Sequence, residues 1–368
     1  MRLMILALSL FMVACDKQPQ SQEMELQDWL GGIADEGFER ATEPRQFTFP
    51  EDHNAHPGFR NEWWYVTGNV ADKNGYEFGY QVTFFRIGLS PDKPKSDSPW
   101  ATNQLWMAHI ALSDIPKQRH HHQQRLVRQA IGLAGSELEQ NFRVWLEDWQ
   151  IISSKGADFP WKVQIKAQDF VLDLALTKAK PLVLQGQQGL SQKGKQKGNA
   201  SYYYSYPRMD TSGTIKVNKQ SYSVKGLSWF DREWSTSALD DNQVGWDWFA
   251  LQFDDGNDFM YYQLRQTTGE ADVTSSGKWI AGDGSVTEIS KDEVYLQPID
   301  YWKNEKGERY PVVWQFEIPT LKKKWLVKAR FPEQMMDTGV SYWEGAVEVL
   351  DAVSKQRVAK GYLEMTGY

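Results

Sequence analysis

The sequence is short of several things that would fix its class at once. It holds a single cysteine, Cys15, in 368 residues, so no intramolecular disulfide can form. Helical periodicity is almost absent, which excludes a helical bundle or a fold of alternating strands and helices. Neither a Gly-x-Ser-x-Gly elbow nor a Ser/His/Asp arrangement is present, so serine-hydrolase chemistry has no nucleophile. Positive charge is also in deficit, with 41 Lys and Arg against 48 Asp and Glu and a net charge of −7. Nucleic acid is therefore not an expected partner. The apolar run Leu3–Ala14 is too short to span a bilayer.

That run follows Arg2 and ends at Cys15, the pattern of a secretory signal peptide. Its last four residues, Met12-Val13-Ala14-Cys15, resemble a bacterial lipobox, and a lone cysteine there makes sense as a lipid-attachment site. Asp16 resembles the signal that keeps such lipoproteins in the inner membrane. The expected layout is a signal peptide over 1–15, a polar tether over 16–45, and globular domains over 46–225 and 226–368. The globular mass is expected in the periplasm, held to the membrane by lipid.

What the chain has in plenty is aromatic residues: 17 Trp, 16 Tyr and 17 Phe. Such residues suit half-buried pleated surfaces and line apolar pockets. The densest stretch is Gly226–Arg265. In it Trp246, Trp248, Ala250 and Gln252 alternate with Asp247, Phe249, Leu251 and Phe253, and an Asp255-Gly256 turn leads to a return strand. The segment around Trp64-Tyr65, the Asn74-Gly75 turn and Arg86 repeats this hairpin about 180 residues earlier. Many more short alternating segments follow one another between turns. The fold expected is all-β, two similar antiparallel domains in tandem, each a barrel or a sandwich. The run Arg119–Arg125, RHHHQQR, invites a metal, but ligands on one element must share a face. It reads as a solvated loop, and no metal or cofactor is expected.

Several segments together carry a family resemblance: FPEDHNAHPGFRNEWWYVTGN, KPLVLQGQQGLSQKG, ASYYYSYPRM, GLSWFDREWSTS, GWDWFALQFDDG, YWEGAVEV and GYLEMTGY. From about Phe47 to Tyr368 the chain resembles the AttH family, related to bacterial carotenoid 1,2-hydratases (hydroxyneurosporene synthases) and often labelled "predicted secreted hydrolase". The resemblance implies two tandem lipocalin-like (calycin) barrels and, from gene neighbourhoods of the family, an ABC-transporter permease as partner. The hydratase branch carries a histidine beside the aspartate corresponding to Asp231. Here the neighbours are Phe230, Arg232 and Glu233, and an arginine does not shuttle protons near neutrality.

Hydrating or cyclising an unactivated alkene needs an acid strong enough to protonate carbon and aromatic faces to hold the cation. A carboxylic acid kept neutral among rings meets the first need. Asp231, Asp247 and Glu62 are the candidate acids. The alternative is that they form buried ion pairs with arginines such as Arg208, Arg232 or Arg265. The residues expected to contact a ligand are Trp63, Trp64, Tyr65, Tyr202, Tyr204, Arg208, Arg232, Glu233, Trp234, Trp246 and Trp248. His56 and His109 are further acid/base candidates. Two functions are expected from this set. One is a lipoprotein that binds an apolar isoprenoid, polyene or lipid-like ligand inside a barrel; the other is an acid/base enzyme of hydratase or cyclase type.

Overall fold

The computed structural model describes residues 36–236, 239–339 and 341–368. Cys15, Asp16 and the lipobox lie outside the described residues. Among the described residues the alternating segments form two wholly antiparallel sheets. The first sheet is built from β1 (Asn61–Asp72), β2 (Glu77–Gly88), β3 (Gln104–Asp114), β4 (Arg119–Arg128), β5 (Ala134–Glu137), β6 (Arg143–Leu146) and β7 (Trp149–Lys155). It continues through β8 (Asp158–Lys166), β9 (Phe170–Lys178), β10 (Val183–Leu184), β11 (Leu190–Gln192), β12 (Ala200–Val217) and β13 (Gln220–Ser235). The second sheet takes β14 (Gln243–Phe253), β15 (Asp258–Gln266), β16 (Ser276–Ile280), β17 (Val286–Ser290) and β18 (Tyr295–Lys303). It is completed by β19 (Arg309–Ile318), β20 (Lys323–Ala329), β21 (Met335–Asp337), β22 (Ser341–Asp351) and β23 (Arg357–Met365).

Each sheet curls on itself around an aromatic core. In the first, Arg125 of β4 reaches the far end of the sheet, stacking 3.9 Å over Trp149 and pairing with Glu147 at 3.0 Å. In the second, Trp325 stacks on Trp279 with ring centres 5.9 Å apart, and Phe249 meets Phe316 edge to face. The two hairpins of the repeat are β1–β2 and β14–β15, with Gly75 (φ +82°) and Gly256 (φ +88°) in the left-handed conformation their turns require. Inside each barrel the hairpin's far arginine finds a carboxylate: Arg86 bonds Glu62, and Arg265 lies 2.5 Å from Asp247.

The barrels meet along the outer faces of β1, β2, β12 and β13 on one side and β14, β15, β22 and β23 on the other. A core of its own forms there, with Tyr65, Tyr203, Trp229, Trp248, Tyr262 and Tyr362 among its buried members. Strands of this seam are buried on both faces, which is why Trp229–Ser235 reads as an unbroken buried run. Gly79 marks the closest approach: a Cβ there would stand 2.6 Å from the Cβ of Ala346. Ion pairs clamp the rim, Arg208 and Lys180 with Asp258 at 2.8 and 2.7 Å, and Lys360 and Arg330 with Glu77.

Three expectations change. The passage to the second sheet comes after Ser235 rather than at Gly226, because β13 runs through Gly226 and pairs with β1 along its length. That glycine is a close-packing site, not a boundary: a Cβ would lie 2.1 Å from the Asn69 carbonyl oxygen. The described end of the tether is not free. Ala41 is fully buried, and the Glu43 carbonyl accepts a hydrogen bond from Tyr202 at 2.9 Å. The histidine run is not a loop but the first half of edge strand β4.

Candidate active site between the barrels

Strand alternation sorts the candidate residues into two compartments. On β13, Arg232 and Trp234 point into the first barrel, while Asp231, Glu233 and Ser235 point into the seam. On β12, Tyr202 and Tyr204 point inward and Ser201 and Tyr203 outward; on β1, Glu62 and Trp64 inward, Trp63 and Tyr65 outward. From the other barrel β14 contributes Trp246 and Trp248, and β23 contributes Glu364. These outward side chains enclose a cavity of about 100 Å³ between the barrels.

Asp231 is the best-defined acid of this cavity. Its carboxylate accepts hydrogen bonds from Tyr203 Oη at 2.7 Å, Trp229 Nε1 at 2.6 Å and Ser205 Oγ at 2.5 Å, all neutral donors. Burial penalises the ionised form more than these bonds favour it, and Glu233 nearby adds to the effect, so its pKa rises to about 7. Glu364 accepts from Trp246 Nε1 at 2.7 Å; desolvation, with the charges of Asp231 and Glu233, also lifts it to about 7. Opposite Glu364 on β22 stands Glu344, wholly buried and bonded by Tyr65 Oη at 2.5 Å. Burial and the Glu364 charge push it well above the ordinary carboxylate range. The cation in the lining, Lys193, pairs with Glu233 at 3.0 Å and lies 4.3 Å from the Tyr262 ring centre. Burial opposes its charge, but Glu233 and its neighbours outweigh that and raise its pKa.

Such a chamber can hold a proton near neutral pH and face a cation with rings. Among the described residues no group of three or more His, Cys, Asp or Glu side chains is arranged to hold a metal ion.

The model of the AttH-like family matches residues 40–368. The chain belongs to the AttH-like family. Its fold is close to a crystal structure assigned to AttH from Nitrosomonas europaea, with 33% identity and a TM-score of 0.79 over 90% of this chain and 100% of that one. Kievitone hydratase from Nectria haematococca is similar in fold at 13% identity, TM-score 0.65, over 90% of this chain and 98% of that one. CghA, at 12% identity and TM-score 0.54, covers 91% and 97%. A search among curated proteins gives no match.

Within this AttH-like chain the expected site divides. Asp231, Trp63, Tyr65, Glu233, Trp246 and Trp248 come together in the cavity. Glu62 does not: it lies inside the first barrel between Arg86 and Arg232. Burial opposes its charge, but the two guanidinium groups override this and hold the carboxyl well below the usual range. It is a permanent anion, not an acid. Asp247 faces the second barrel's core and is held by Arg265, by Tyr368 Oη at 2.7 Å and by Gln263 at 3.3 Å. Burial raises its carboxyl, opposed by those three partners.

Arg232 stacks 3.9 Å over Trp64, Trp234 stacks on His56 at 3.8 Å, and Tyr204 bonds His53 at 2.6 Å, all within the first barrel. Tyr202 caps its edge, and Arg208 serves the rim clamp. His109 is buried between Tyr342 and Gln124, and desolvation lowers it to about 4, leaving it neutral. Tyr203, Lys193, Glu344 and Glu364 escaped the reading. Both glutamates stand in the motifs YWEGAVEV and GYLEMTGY, where a carboxylate inside an aromatic and apolar strand was the available signal. The first barrel's interior is filled by its aromatic core.

Proposed function

We propose that the cavity between the barrels is an acid–base reaction chamber of hydratase or cyclase type, with Asp231 as the proton donor. The observation that carries this is a buried carboxyl with a pKa of about 7, bonded only by neutral donors and facing Trp63, Trp246 and Trp248. A group with a pKa near the working pH supplies both protonation states that acid–base turnover needs. In hydration, the Asp231 proton forms a C–H bond at one alkene carbon, and the cation left at the other is faced by the indoles. Water attacks that carbon, and the proton it sheds goes to Glu364 or back to Asp231. In cyclisation a second double bond of the substrate replaces water, and a neighbouring carbon returns the proton. The cavity, about 100 Å³, leaves room among the indoles for an unsaturated end group of a substrate.

A panel of prenyl-bearing and isoprenoid alkenes incubated in D2O tests this. Mass spectrometry should find one carbon-bound deuterium in the product, with water added or a ring closed. Asp231→Asn should reduce turnover at least a hundredfold while the thermal melt stays within a few degrees of wild type. Undiminished turnover in that variant would overturn the assignment. We also propose that Cys15 carries the lipid that places the chain on the periplasmic side of the membrane, beside a transporter permease. Cys15→Ala should then accumulate as unprocessed precursor on gels, and normal processing would remove the proposal.

A further inference from the structure

The histidine run on β4 has no part in this chamber. His120 and His122, two residues apart on one strand, share a face with ring centres 5.7 Å apart, while His121 points the other way toward Phe170 and Asp169. They line a second cleft of about 350 Å³ where β4 meets β21 and the 304–306 turn of the other barrel.

The hydrogen bonds around this pair fix both tautomers. Gln334 Nε2 donates to the carbonyls of Phe331 (3.0 Å) and Ala346 (3.1 Å), which sets the amide so that Oε1 faces Ser113. Ser113 Oγ spends its proton on that oxygen at 2.8 Å. The hydroxyl therefore only accepts from His120 Nδ1, 2.9 Å away, and Nδ1 must carry the ring hydrogen. On the second ring, Nε2 lies 3.1 Å from the Asp337 carbonyl, so it too must be the N–H. Each ring is left with one bare lone-pair nitrogen, Nε2 of His120 and Nδ1 of His122. Both atoms are buried, with no hydrogen-bond partner among the described residues.

An unpaired buried acceptor costs stability unless something occupies it. A ring nitrogen oriented by a hydroxyl or carbonyl on its other nitrogen is how proteins prepare metal-binding imidazoles. With metal–nitrogen bonds of about 2.1 Å, two imidazoles on one tetrahedral ion have ring centres about 5 Å apart, a small rotation from the spacing here.

We propose that His120 and His122 form a binding site for a divalent transition-metal ion of the zinc class, bridging the two barrels at the β4–β21 seam. Imidazole nitrogens select such ions over Mg²⁺ or Ca²⁺. Solvent completes the coordination; Glu305, Glu333 and Asp337 share the cleft with Arg119 and Lys306, and Asp337 pairs with Lys306 at 3.8 Å.

The full chain, prepared without an affinity tag and stripped with a chelator, is titrated with Zn²⁺ by calorimetry and melted with and without the ion. One Zn²⁺ per chain should bind, with a rise in Tm and no response to Mg²⁺. His122→Gln, which gives up only one bond to a main-chain carbonyl, should weaken Zn²⁺ binding at least tenfold and cancel the rise in Tm. His121→Gln, on the opposite face, should bind as wild type does. Absence of Zn²⁺ binding in the wild type overturns the proposal, as does binding that survives His122→Gln or is lost in His121→Gln.

Discussion

Three carboxylates on neighbouring strands share one environment in terms of burial and differ in the cations they meet. Glu62, inside the first barrel, has two arginines and is held well below the ordinary range. Asp247, its counterpart in the repeated hairpin, has one; there burial outweighs the arginine and the carboxyl is raised. Asp231, in the seam, has hydrogen bonds from three neutral groups and rises to about 7. Desolvation is the first cause in all three, so the number of guanidinium groups decides the outcome. Two guanidinium groups fix Glu62 as an anion, one does not offset the burial of Asp247, and Asp231 in the seam pairs with none.

Removing the arginine should break this series most visibly. Arg265→Met leaves Asp247 buried without its cation, and denaturant unfolding should show a loss of about 3–5 kcal/mol. The double variant Asp247→Leu/Arg265→Met should recover most of it, since no charge is then stranded.

The pH dependence of stability should separate the compartments next. Asp231 and Glu364 have folded values near 7 against ordinary values of 3.8 and 4.5. The folded state holds their protons more tightly, so their contribution is complete below about pH 4 and is lost as the pH rises to about 7. Glu62 is shifted downward, so its contribution is present above about 4.5 and is lost as the pH falls below that value. Urea midpoints of wild type should therefore decline between pH 4.5 and 7.5. The pair Asp231→Asn/Glu364→Gln should lessen that decline, leaving the part due to the other raised carboxyls, Glu344 and Asp247, and should leave the acid limb unchanged. A decline undiminished in the pair would place its origin elsewhere.

The smallest change sharpens the comparison at its neutral end. Tyr203→Phe removes one of three donors to Asp231, a bond of about 1 kcal/mol, and should raise its pKa by less than about one unit. The carboxyl infrared band followed across pH reads this directly; a downward shift would contradict the assigned bonding.

The fold was legible in the sequence because period-two patterning and the Asn74-Gly75 and Asp255-Gly256 turns act locally. Membership of the AttH-like family was legible for the same reason, since its motifs are long and ordered along the chain. The candidate cavity was half legible. Asp231, Trp63, Tyr65, Glu233, Trp246 and Trp248, expected at a site, do line it, and each was a charge or ring in a dense aromatic stretch. Alternation alone does not say which face of a strand looks at the core when both are buried, and that is how Arg232, Trp64 and Glu62 were grouped with their seam-facing neighbours. Glu364 comes from the other barrel, and only the docking of the barrels brings it, with Glu344 behind it, to this cavity. Lys193 comes from the segment after β11 of the same barrel, where nothing in the local pattern marks it. Gly226 misled because a glycine serving a close approach looks the same in sequence as one ending a domain.

The alternation on β1, β12 and β13 also has a consequence for how such a protein can change. On β1, β13 and β12 up to Tyr206, odd-numbered positions face the seam and even-numbered ones the barrel core. Past the register shift after Tyr206 the phase on β12 reverses, with Met209, Ile215 and Val217 in the core. Cavity lining and core packing are thus inscribed on interleaved sites of the same strands. Point substitutions at 63, 65, 203 or 233 can reshape the cavity while the core stays intact. A single-residue insertion ahead of β13 is a different event. It would exchange Asp231 for Phe230 in the chamber and send Asp231 against Trp64, in the place Arg232 leaves. Divergence in such a chain is therefore expected to run through substitutions along these strands and through length changes confined to the loops.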